Sequence, residues 1–71
     1  MLPITFMAIE LTDMELEFAR LLCEGLTNRK IAKKLFRSEW TINGYRENLL
    51  RKTKSKSSMQ AIAKLFKAGI L

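Results

Sequence analysis

Apolar side chains recur at helical spacing in four stretches of this chain, and the residues between those stretches are ones that start and stop helices. In the first stretch Leu16, Ala19, Leu22 and Cys23 share one face. Ahead of it, Thr12-Asp13-Met14-Glu15 fits a capping box: the Thr12 hydroxyl accepts from the backbone N–H of Glu15, and the Glu15 carboxylate reaches back to the N–H of Thr12. Acidic residues in that turn also suit the positive end of the helix dipole. Gly25 predicts a left-handed stop. The second helix starts near Thr27 or Asn28 and runs through Leu35, with Ile31, Ala32 and Leu35 as its buried stripe. Phe36 and Arg37 make a turn, and Ser38 is a good N-cap for a third helix that reaches about Lys54. A fourth helix spans Ser58 to Ala68 and ends at Gly69. The prediction is an all-α fold, a four-helix bundle in which the second and third helices form a helix-turn-helix.

The third helix divides into two faces. At about 100° per residue from Ile42, the side chains of Leu49, Thr53 and Leu50 fall within about 80° and make the core side. On the opposite arc lie Trp40, Thr41, Asn43, Gly44, Glu47, Asn48, Arg51 and Lys54, with no aliphatic side chain among them. Such a face suits contact with base edges and phosphates. Gly44 costs a helix interior about 1 kcal/mol relative to Ala, so its place on the outer arc reads as close approach to a groove wall rather than as a tolerated weak spot. Trp40 either packs on sugars and thymine methyls or lies across the turn against Phe36. Arg46 falls near the core edge and needs a partner, which the acidic first helix offers in Glu15 or Glu17. Glu47 either accepts from a cytosine amino group or pairs with Arg51 four residues on, the second being the safer expectation.

Charge sharpens this picture. The chain has 71 residues, a net charge of +6 and 48% hydrophobic residues, enough for one small globular domain. Residues 1–28 carry one basic and five acidic side chains, whereas residues 29–56 carry ten basic and two acidic, a net +8 on the helix-turn-helix itself. A surface so polarised fits a polyanion such as double-stranded DNA. With one cysteine and no histidine, neither an internal disulfide, nor a Cys/His metal cluster, nor a His-dependent nucleophile is available, so no enzyme and no cofactor are expected. Cys23, in an apolar helical stretch, reads as a buried small hydrophobe. The apolar run over residues 1–9 is short and lacks a basic leader, and no stretch approaches the roughly 20 apolar residues of a membrane span, so a soluble, cytoplasmic protein is expected. Residues 1–10, with Pro3, read as a linker ahead of a domain over 11–71.

Several of these residues together carry a family resemblance: Leu11-Thr12 with Glu15, Glu24-Gly25-Leu26-Thr27-Asn28, Ile31-Ala32, Ser38, Thr41-Ile42 and Lys52. Over residues 10–68 the chain resembles the LuxR/NarL-type helix-turn-helix domain, the C-terminal output half of many bacterial response regulators and quorum-sensing receptors. The resemblance implies a third helix in the major groove and a fourth that makes a homodimer contact. Carried over by position, it makes Asn43, Gly44 and Glu47 base readers, and Asn28, Thr41, Tyr45 and Lys52 phosphate contacts; Arg51 and Lys54 join the latter by charge and place. The dimer contact falls on Met59, Ile62, Ala63 and Phe66. The phrase GYRENLLRK is most similar to response-regulator members, which implies an upstream receiver domain; RNA polymerase is a candidate further partner. Thr53-Lys54-Ser55 stand where apolar residues are usual in such domains, which predicts weaker packing between the third and fourth helices, and Ser58 stands where an Arg is common. The alternative from another class is a protein-interaction or dimerisation module that uses the fourth helix without reading DNA.

Overall fold

The structure is a computed structural model that describes residues 9–71. It contains four helices: α1 (Asp13–Cys23), α2 (Asn28–Leu35), α3 (Glu39–Thr53) and α4 (Ser58–Lys67). Each begins on a hydroxyl. Thr12, Thr27, Ser38 and Ser57 accept from the backbone N–H three residues on, which gives one otherwise unpaired donor of every first turn a partner. The predicted capping box at Thr12 and Glu15 is complete, with bonds of 3.1 and 3.0 Å.

The helix ends follow one device. Gly25 (φ 89°) and Gly69 (φ 76°) turn the chain left-handed after α1 and α4. The N–H of Leu26 then donates to the Leu21 carbonyl and that of Ile70 to the Leu65 carbonyl. Non-glycine residues make the same turn after the other two helices: Phe36 (φ 57°) after α2 and Lys54 (φ 53°) after α3. Arg37 N–H donates to the Ala32 carbonyl and Ser55 N–H to the Leu50 carbonyl, both at 2.9 Å.

α3 packs against each of the other three helices. Its Ile42 and Leu49 are buried among Phe18, Ala19 and Leu21 of α1, Ile31 and Ala32 of α2, and Ala61 and Leu65 of α4. Burying a side chain of the size of Ile or Leu stabilises by roughly 1.5–3 kcal/mol, so these few residues decide how α3 is held. Leu11 and Ile9 pack against the same core. Ile9 thus belongs to the packed domain although it falls in the expected linker; residues 1–8 of that linker lie outside the described residues.

Two expectations about packing are corrected. Cys23 is exposed, and the α1 face that enters the core is Phe18, Ala19 and Leu21, with Leu16 and Leu22 half-buried. The polar stretch Thr53-Lys54-Ser55 does not leave α3 and α4 loosely joined. Buried Thr53 donates its hydroxyl to the Leu49 carbonyl (2.8 Å), with Ser55 Oγ 2.7 Å away. Lys64 of α4 donates to the carbonyls of Thr53 (2.9 Å) and Lys54 (2.8 Å). Among the described residues no buried side-chain polar atom lacks a partner.

Candidate nucleic-acid interface

The outward face of α3 is polar and open. With Ile42 and Leu49 buried on one side, Asn43, Gly44, Glu47, Arg51 and Lys54 are exposed on the other, and Thr41 and Asn48 are half-buried. The three expected base-reading residues, Asn43, Gly44 and Glu47, therefore stand together on one solvent face. At the start of the helix Ser38 Oγ accepts from Thr41 N–H (3.1 Å) and lies 3.0 Å from Thr41 Oγ1. This cap fixes the entry angle of the helix and holds Thr41 in place. Tyr45 is half-buried, its ring tilted against Phe18 of α1 at a centroid distance of 6.5 Å. The ring anchors α3 to α1.

Gly44 leaves a dent in this face. A cavity of about 370 Å³ sits there, lined by Trp40, Thr41, Asn43, Gly44, Tyr45 and Asn48. A Cβ added to Gly44 would meet nothing within 4 Å, so no neighbouring atom requires a glycine at this position. Trp40 is 85% exposed and Phe36 91% exposed, which leaves the two rings too open to be packed across the turn on each other. Of the two alternatives for Trp40, the packing across the turn against Phe36 is therefore not the one the structure shows.

The ion pairs differ from those read off the sequence. Lys52, expected to contact phosphate, is turned inward: its Nζ lies 2.6 Å from Glu15 Oε1, and Glu15 is only 3% exposed. Burial works against ionisation of Glu15 and is the largest single influence on it. The hydrogen bonds from Lys52 and the Thr12 backbone, together with the Lys52 charge, outweigh it and hold the carboxyl below the ordinary glutamate value. Arg46, expected to face Glu15 or Glu17, instead donates through Nε to Ser58 Oγ at the start of α4 (3.1 Å). Glu47 lies 3.5 Å from Arg46 Nη1 rather than pairing with Arg51. Arg51 and Lys54 are exposed with no side-chain ion pair among the described residues. Asn28 occupies the first turn of α2, half-buried, beside the Thr27 cap. The signal missed for Lys52 was the buried capping-box glutamate, which needs a counter-charge.

α4 shows two faces. Ala61 and Leu65 enter the core, while Met59 (84% exposed), Ala63 and Phe66 (56% exposed) face outward with half-buried Ile62 beside them. A second cavity, of about 260 Å³, joins Met59, Ile62 and Ser58 to Leu22 and Cys23 of α1.

Among the described residues no helix is long and apolar enough to cross a membrane, and no group of three or more His, Cys, Asp and Glu side chains is placed to hold a metal ion. A search of curated proteins finds no match to the chain. The family model of the GerE domain, described as bacterial regulatory proteins of the luxR family, matches residues 10–65. That match covers all of α1, α2 and α3 and most of α4. The capped helix-turn-helix with its open polar third helix and the extent of the match agree: the chain belongs to the luxR family of bacterial DNA-binding regulatory proteins.

Proposed function

We propose that this domain binds double-stranded DNA sequence-specifically as the output domain of a transcription regulator of the response-regulator type, with α3 in the major groove. The observation that carries this reading is the outward face of α3, from Trp40 to Lys54. It is polar and exposed, and it lies within the stretch of net charge +8. Asn43, Gly44 and Glu47 face the base edges. Asn28, Thr41, Arg51 and Lys54 face phosphates, where an amide, a hydroxyl and cations are effective donors, and Tyr45, its ring packed on Phe18, contributes only its hydroxyl. Lys52 is left out of this set because its ammonium group is engaged by Glu15. Two copies dock through the outward stripe Met59, Ile62, Ala63 and Phe66 of α4 and read paired half-sites, and the signal comes from an upstream receiver domain.

Fluorescence anisotropy against a pool of random duplexes at several salt concentrations tests this. Saturable binding with a steep salt dependence and an enriched, repeated motif is expected. Arg51→Ala should shallow the log–log salt slope by about one unit, the signature of one lost phosphate contact. Failure to bind duplex DNA even at low salt would leave α4 docking to another protein as the surviving function.

A further inference from the structure

The dent over Gly44 has a chemistry of its own. Gly44, with open space where a Cβ would stand, and the exposed Trp40, one turn earlier, both line it. Asn43 and Asn48, each with a side-chain amide, line it together with Thr41 and Tyr45. No cation lines it: Arg46 is turned to Ser58, Lys52 to Glu15, and Arg51 begins the next turn beyond the rim. A guanine edge offers two acceptors and is met best by Arg or Lys. An adenine edge offers one donor and one acceptor, which a side-chain amide matches, and its partner thymine adds a 5-methyl group.

We infer that the dent over Gly44 is a seat for the 5-methyl group of a thymine, walled by Trp40, with Asn43 or Asn48 matching the adenine edge beside it. This rests on the groove reading proposed above and names the base pair that reading leaves open. Glycine serves here because any longer side chain would fill the seat, and nothing else in the fold demands it. Glu47 is not among the lining residues, so its carboxylate does not compete for the seat.

The test starts from duplexes selected out of the random pool and replaces each thymine in turn by deoxyuracil, which removes only the methyl group. At one thymine of the recognised site the dissociation constant should rise about fourfold, as expected for one methyl group returned to water. Trp40→Ala removes an exposed wall, and Gly44→Leu fills the seat with a good helix former; neither endangers the fold. In both variants the thymine and uracil duplexes should bind alike, with Gly44→Leu weaker than the unaltered protein on the thymine duplex. Equal binding of thymine and uracil duplexes at every position of the site by the unaltered protein would overturn the seat and leave groove reading standing. Absence of binding to any duplex would bring down the groove reading and the seat with it.

Discussion

Replacing Lys52 by Met should unfold this domain more easily without directly removing a DNA contact. The change keeps the aliphatic stem and deletes the ammonium group 2.6 Å from a carboxylate whose side chain is only 4% exposed. Stranding a fully buried charge costs about 3–5 kcal/mol. Lys52 itself is 30% exposed, and the Glu15 carboxylate also accepts from the Thr12 N–H, so solvent and the cap recover part of the loss. A cost of about 2 kcal/mol is left. Domains of this length are stable by roughly 4–10 kcal/mol, which makes that a large fraction. Urea unfolding followed by helical circular dichroism reports it: with a slope of about 1 kcal/mol/M, the midpoint should fall by about 2 M. Glu15→Gln supplies the control, because it retains an acceptor for Thr12 and removes the charge. In that background Lys52→Met should cost much less. An unchanged midpoint for Lys52→Met, together with a salt slope for DNA shallower by about one unit, would refute the argument and return Lys52 to the phosphate contacts.

Other consequences are equally direct. Because the folded-state value of Glu15 is depressed, the unfolded chain holds more protons in the acid range; the stabilisation from this pair should be full above the ordinary glutamate value and be lost as the pH falls through the folded value. Urea midpoints across that range should therefore drop for the unaltered protein and drop less for Glu15→Gln. Gly44→Ala should raise stability by about 1 kcal/mol, since its Cβ meets nothing within 4 Å, and calorimetry should show a Tm about 4–8 °C higher. Phe36→Gly should also stabilise, by about 1 kcal/mol, because Phe36 is held at φ 57° while 91% exposed and so loses little packing on truncation. Met59→Glu with Phe66→Glu should leave the monomer Tm nearly unchanged and abolish paired occupancy of DNA, read by sedimentation of the complex.

The helix starts at Thr12, Thr27 and Ser38 and the stops at Gly25 and Gly69 were legible in the sequence because capping is local. A hydroxyl three residues ahead of its donor and a glycine past the last turn are visible without knowing any partner. The outer arc of α3 was legible for a similar reason: helical spacing alone separates Ile42 and Leu49 from Asn43, Gly44 and Glu47. What spacing does not reveal is which flank of the core side meets which helix. Arg46 and Lys52 lie on opposite flanks of Ile42, and only the packed fold turns the Lys52 and Tyr45 flank toward α1 and the Arg46 flank toward α4. Glu15 therefore has Lys52 as its partner, and Arg46, expected there, bonds Ser58 instead. Cys23 differs from expectation for the same reason: α1 is apolar over a wide arc, and its neighbours decide that Phe18 and Leu21, rather than Cys23, go inside. Phe36 and Lys54 gave no sign of their left-handed backbone, because the residues that usually mark it are glycine and asparagine.

The Lys64 ammonium group ties α4 to the far end of α3 by holding two of its terminal carbonyls. Charge-assisted bonds of this kind contribute about 1.5–3 kcal/mol each, and they act at the negative pole of α3, where a cation is favoured. With Arg46 bonded to Ser58 at the other end of the contact, the two helices are pinned to each other at two points. If α3 enters the groove as proposed, a partner that grips the outward stripe of α4 would set the tilt of α3 from the far side of this contact.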